Sequence, residues 1–119
     1  DMEFSKHAGG VLAVACSADG KLAASAGQDT TIQVWDLQTG AVIQTLKGHS
    51  DWINSLAFGG DPRRLISASI REESIRIWDL ESGQLLLPLK GKSVALSPDG
   101  ALLAIADDEG IRTFPVNFK

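Results

Sequence analysis

"TIQVWDLQTG" at residues 31–40 returns as "SIRIWDLESG" at residues 74–83. In both copies a stretch rich in β-branched and aromatic residues runs into Trp-Asp-Leu, then breaks at a polar pair closed by glycine. That is the composition of a strand entering a tight reversal. Trp35 and Trp78 stand 43 residues apart, and "GIRTFPVNFK" at 110–119 sets Phe114 in the same slot 36 residues further on. The same register aligns "SADG" (17–20), "GGDP" (59–62) and "SPDG" (97–100). A period of this length marks stacked supersecondary units.

Within the first unit "VLAVACS", "KLAASAG", "TIQVWDL" and "AVIQTLK" are separated by "ADG", "QDT" and "QTG". Asp-Gly and Thr-Gly supply the positive φ of tight turns, and no segment keeps helical spacing through three turns. Val11, Leu12, Val14 and Cys16, like Leu65 and Ile66, make strands apolar at consecutive positions. Such sheets need cover on both faces. Cys16 aligns with Phe58 and Leu96, so it reads as a small core residue rather than a nucleophile.

Composition narrows the function classes. The chain has 119 residues, 44% of them hydrophobic, which suits one folded domain. Fifteen acidic against eleven basic residues give a net charge of −4, without the basic run that nucleic acid requires. The longest apolar runs fall far short of a membrane span of about 20 residues. A lone cysteine and two histidines make neither a disulfide nor a zinc pattern, and a reducing cytoplasm is the expected compartment.

The two "WDL-x-[TS]-G" segments, "KGH" at 47–49, "DWINSLAF" at 51–58 and "SPDG" at 97–100 resemble the WD-repeat β-propeller family over residues 4–116 or so. The resemblance implies an all-β fold of β-propeller blades, three four-stranded antiparallel sheets forming a partial propeller or part of a larger ring. Residues 1–119 then form one WD-repeat segment: an outer-strand stub at 1–6, repeat one at 7–48, repeat two at 49–91, and a degenerate repeat three at 92–119. It also implies a buried chain of hydrogen bonds from Asp29 through His7 and Ser25 to the indole N–H of Trp35. In repeat two His49, Ser67 and Trp78 hold the matching positions, with Glu72 or Glu73 in a turn one residue longer. Repeat three keeps only Asp108, placing Ile105 in the serine slot and Phe114 in the tryptophan slot. That blade is expected to hold by apolar packing alone. Ser, His and Asp together could suggest a hydrolase, but a hydroxyl tied to an indole is not offered to a substrate.

Propellers close with about four to eight blades. Three units leave an apolar face open at each end, and such faces mark association. Either further blades complete the ring, or two copies close a six-bladed one as a homo-oligomer. "MEFSK" at 2–6 could be half of a ring clasp or a cut end. "FPVNFK", with Pro115, suits an exposed last strand and a true C-terminus.

Trp52, on the loop after "GHS", falls where the family's top face binds partners, with Ser50, Asp51 and Asn54 beside it. Gln28, Thr30, Arg71 and Glu72 lie on loops expected at that face. An anchor for a partner and simple packing on the adjoining blade are both open for Trp52. "DDEG" (107–110) lacks the ligand spacing of a calcium loop, and Arg63 and Arg64 read as a solvated turn. No phosphate loop or paired metal ligands appear. The expected function is a non-catalytic scaffold for protein–protein interaction, without catalytic residues, metal or cofactor. Its alternatives are a ring-closing self-associating module, or a regulatory WD-repeat domain attached to an enzyme outside this segment.

Overall fold

The two Trp-Asp segments each end a strand, and the aspartate builds the reversal that follows. Asp36 Oδ1 accepts from Gln38 N (2.8 Å) and Thr39 N (3.2 Å), and Gly40 N returns to Asp36 O at 2.8 Å. The second copy repeats this: Glu81 N donates to Asp79 Oδ1 at 3.1 Å, and Gly83 N to Asp79 O at 2.8 Å. Gly40 and Gly83 close the turns at φ 76° and 73°, a region costly for a residue with a Cβ. "SADG" and "SPDG" form a second repeated device. Ser17 Oγ and Ser97 Oγ each donate at 2.6 Å to the aspartate two residues on.

The computed structural model describes residues 9–59 and 63–116. These form β1 (Val11–Cys16), β2 (Leu22–Gly27), β3 (Ile32–Asp36), β4 (Val42–Leu46), β5 (Ser55–Phe58), β6 (Arg64–Ser69), β7 (Ser74–Asp79), β8 (Gln84–Lys90), β9 (Ser93–Leu96), β10 (Leu102–Asp107) and β11 (Gly110–Pro115). Adjacent strands pair antiparallel into three sheets, β1–β4, β5–β8 and β9–β11. No helix occurs among the described residues. None is therefore long and apolar enough to cross a membrane. The first two sheets have the four strands expected of a blade, whereas the third shows three among the described residues. Beyond β11 the chain turns inward: Val116 N donates to Ala101 O at 2.8 Å, and its side chain is buried.

The sheets stack through two cores. Ala24, Ala26, Ile32 and Val34 of sheet 1 meet Leu65, Trp78 and Leu80 of the second repeat. On the other side of sheet 2, Ile66, Ala68, Ile75 and Ile77 meet Leu103, Ile105 and Val116. Alternate residues of β6 and β7 thus serve opposite cores, which accounts for their continuous apolar runs. The end sheets differ. Val14 of sheet 1 is 72% exposed and Ile111 of sheet 3 is 76% exposed.

Cys16 is exposed, contrary to the expectation of a core position. It pairs with Ala23 in register with Val14 and Ser25, on the face of sheet 1 turned away from sheet 2. Its aligned counterparts Phe58 and Leu96 face an adjoining sheet and pack against the cores.

Candidate functional site

Ser67 and Trp78 lie on paired strands, two positions apart in register and on one face. Trp78 Nε1 donates to Ser67 Oγ at 2.8 Å, and Ser67 Oγ stands 2.6 Å from His49 Nε2. His49 Nδ1 reaches Glu72 Oε1 at 2.8 Å. Glu72, rather than Glu73, therefore takes the acidic place. Glu73 sits at φ 53° in the turn, and its carboxylate is 3.8 Å from Lys92 Nζ. Ser50 Oγ donates to the other Glu72 oxygen at 3.0 Å, and Arg76 Nη2 is 3.7 Å from it.

One protonation state satisfies every group. With Glu72 ionised, Nδ1–H of His49 donates to it, Nε2 accepts from the Ser67 hydroxyl, and Ser67 accepts the indole N–H. Burial depresses the His49 pKa and outweighs the pull of Glu72 toward the charged form. Burial disfavours the Glu72 carboxylate, but hydrogen bonds from Ser50 N–H, His49 and the Ser50 hydroxyl prevail and hold it below the usual glutamate value. Ser67, His49 and Glu72 have the connectivity of a hydrolase triad. Ser67 is 0% exposed, however, and its oxygen already accepts the indole N–H. No substrate carbonyl reaches it in this arrangement.

In the first repeat Trp35 Nε1 donates to Ser25 Oγ at 2.9 Å, and Asp29 Oδ1 accepts from Thr31 N at 3.1 Å. His7 and the 1–6 stub lie outside the described residues, as do residues 60–62 of "GGDP" and 117–119 of "FPVNFK". In the third repeat Lys92 occupies the histidine slot. Its Nζ reaches both oxygens of Asp108, at 3.0 and 2.9 Å. Arg112 adds a 3.4 Å pair with Asp107. These ion pairs lie at the surface of a blade whose interior is the apolar core of Leu103, Ile105 and Val116. Sequence comparison with the histidines passes over Lys92 because the residue type changes while the position does not.

The loop carrying Trp52 is fixed on both sides. His49 is buried before it. After it, Ile53 is wholly buried in the first core and its N–H donates to Gly27 O at 3.1 Å. Asn54 N donates to Ala68 O at 2.9 Å, and Asn54 Oδ1 accepts from Ile70 N at 3.1 Å. Trp52 itself is half-buried, with the Arg71 guanidinium 4.0 Å above its ring. Asp51 Oδ1 accepts from Trp52 N at 2.7 Å and stands 3.5 Å from Arg71 Nη1. Arg71 is 58% exposed at its side chain, and Ile70 beside it is 57% exposed.

The eight expected surface residues thus divide. Trp52, Arg71 and Asp51 form one cluster facing outward, and Ile70, absent from the sequence expectation, extends it. Ser50, Asn54 and Glu72 spend their polar groups on the protein's own loops. Gln28 accepts from Gly10 N at 3.0 Å, and Thr30 holds φ 68° in the adjoining β2–β3 turn. Among the described residues no cluster of His, Cys, Asp and Glu suits a metal ion.

Comparison with known proteins agrees with this architecture. Residues 2–36 and 40–79 match the family model for the WD domain, G-beta repeat. The chain is 42% identical over 64 residues to nuclear distribution protein PAC1 of Coccidioides posadasii, covering 44% of this chain and 14% of that protein. It is 47% identical over 38 residues to PAC1 of Fusarium vanettenii, 32% of this chain and 8% of that one. An uncharacterized WD repeat-containing protein of Nostoc, alr3466, is 44% identical over 52 residues, 44% of this chain and 3% of that one. The chain therefore spans a small part of the length of these relatives. WD40 repeats generally mediate protein–protein interaction and are typically not enzymes. With the family model covering more than half of its length and its strands stacked as blade-like sheets, the chain belongs to the WD40-repeat family.

Proposed function

We propose that this WD40 segment is a non-catalytic scaffold that binds a protein partner through the surface made by Trp52, Arg71, Asp51 and Ile70. The stacked Trp52–Arg71 pair carries this reading. Aromatic and arginine side chains dominate protein interfaces, and here both are held by loops anchored in the core, so little ordering entropy remains to be lost on binding. The exposed Ile70 beside the stacked Trp52–Arg71 pair suits a partner presenting an apolar group there. The cytoplasm suits a free, exposed cysteine.

The exposed apolar residues on both end sheets favour further blades as neighbours, since Val14 and Ile111 occupy faces whose counterparts in sheet 2 are covered. Molecular mass of the intact polypeptide in solution separates blades in one chain from a second copy.

The test places a photoreactive phenylalanine analogue at Ile70, which leaves the Trp52–Arg71 pair in place, and, separately, at Asp99 in the β9–β10 turn at the opposite end of the sheets. Adducts to another polypeptide at position 70 and none at 99 support the reading. Equal labelling at both, or none at 70, overturns it.

A further inference from the structure

The turns that carry the acidic residue correspond between the first two repeats. Thr30 N donates to Gly27 O at 3.3 Å and Glu73 N to Ile70 O at 3.1 Å, and Thr30 and Glu73 both hold a positive φ. Residues 27–30 and 70–73 are therefore two copies of one turn, with Asp29 matching Glu72 and Gln28 matching Arg71. The pairs Ala13↔Ala26 and Ser55↔Ala68 give Gly10 and Trp52 the same place ahead of β1 and β5. Gln28 Oε1 accepts from Gly10 N at 3.0 Å, and the Arg71 guanidinium lies 4.0 Å over the Trp52 ring. A contact made to a glycine backbone in repeat one thus becomes, in repeat two, the exposed aromatic stack.

The turns differ in how far they stand from their sheets. β2 and β3 pair as far as Ala26↔Ile32, whereas β6 and β7 add Ser69↔Ser74. Ser69 is the extra residue, and its buried hydroxyl has no hydrogen-bond partner, which costs stability. It sets the second turn further out, and the longer arm of glutamate spans the added distance. Glu72 Oε1 lies 2.8 Å from His49 Nδ1, and Glu72 Oε2 accepts from Ser50 Oγ at 3.0 Å. The segment entering Trp52 is thus tied twice to the residue that adjoins Arg71.

We propose that Glu72 is the positioning residue of the Trp52 surface: by bridging His49 and Ser50 it holds loop 49–54 against turn 70–73, and the Trp52–Arg71 stack opens when the carboxylate is lost. As regulation of that surface this rests on the partner-binding reading above. Acid is the trigger. The charged groups around the carboxylate are His49 when protonated, Arg76 at 3.7 Å, the Arg71–Asp51 pair and, beyond Glu73, Lys92. Hydrogen bonds from Ser50 and His49 overcome burial and hold Glu72 ionised below the usual glutamate value. The stack therefore persists at neutral pH. As pH falls below that value, protonation turns two charge-assisted bonds into weaker neutral ones, and the two loops part.

The test uses fluorine NMR of the intact polypeptide labelled with fluorotryptophan, with Trp52 assigned by Trp52→Phe and its unstacked resonance defined by Arg71→Ala. Glu72→Ala is expected to carry the Trp52 resonance most of the way to that position while Trp35, in sheet 1, stays in place. A Trp52 resonance unmoved in folded Glu72→Ala overturns the proposal. Should that variant fail to fold, acid titration of the wild type decides. Trp52 moving to the unstacked position before Trp35 reports unfolding supports the proposal, and the two changing together overturns it. No partner enters the measurement, so its outcome is separate from whether the surface binds one.

Discussion

The Ser67 hydroxyl oxygen lies 2.8 Å from the Trp78 indole nitrogen, deep between sheets 1 and 2, and a residue without a hydrogen-bonding side chain in its place strands that donor. Ser67→Ala leaves both the indole N–H and the His49 Nε2 acceptor unpaired in a buried site. The expected loss is about 2–4 kcal/mol, read as a lower urea midpoint with an unchanged slope. A change below about 0.5 kcal/mol would show that the chain of bonds does not hold sheet 2 to its loop.

Stability is expected to fall as the medium turns acidic, in two stages. His49 is held neutral by burial, its pKa below the ordinary 6.5. The unfolded chain therefore takes up a proton that the folded chain refuses as pH drops through that value. Glu72, depressed below 4.5, adds a second decline as pH falls through that range. Urea midpoints measured from pH 8 to pH 3 should decrease monotonically, and Glu72→Gln should shrink the lower stage, to which Asp19 and Asp99, held below the usual aspartate value by hydrogen bonds from Ser17 and Ser97, also contribute. A midpoint that rises on acidification from pH 7 to pH 5.5 contradicts the assigned His49 state.

Thr30 holds a left-handed backbone at φ 68°, where a β-branched residue is strained. Thr30→Gly relieves this and should stabilise the protein by about 0.5–1 kcal/mol, the glycine's extra freedom in the unfolded chain offsetting part of the gain. Thermal unfolding checks the sign. Destabilisation would mean that the threonine side chain makes a contact worth more than the strain.

Sheet 3 tests the converse of the serine chain. Ile105 fills the slot of Ser67 and is wholly buried. Ile105→Ser supplies a hydroxyl with neither an indole donor nor an imidazole partner, because Phe114 and Lys92 hold those positions. The expected cost is about 3 kcal/mol or more, cavity and unpaired hydroxyl together. Hydrogen exchange should show β9–β11 losing protection before β1–β4. Uniform loss across the sheets contradicts this separation of cores.

Much of this architecture is written locally. The side-chain turn hydrogen bonds of Asp36, Asp79, Asp19 and Asp99 all run to groups within three residues of their own positions, so the turns can be read from short strings. Serine and tryptophan meet because pairing register brings them together, which repeat spacing carries. The exposure of Cys16 depends instead on which face of sheet 1 meets sheet 2, a property of stacking that no single repeat encodes. The choice of Glu72 over Glu73 rests on the backbone of one turn. Lys92 keeps a position while changing chemistry.

The scaffold reading is tested most directly by quantitative affinity capture with the intact polypeptide, comparing wild type with Trp52→Ala and Arg71→Ala at matched melting temperature. The account predicts one set of bound polypeptides whose recovery drops about tenfold or more in both variants. Recovery of the same set at undiminished amounts from both correctly folded variants would contradict it.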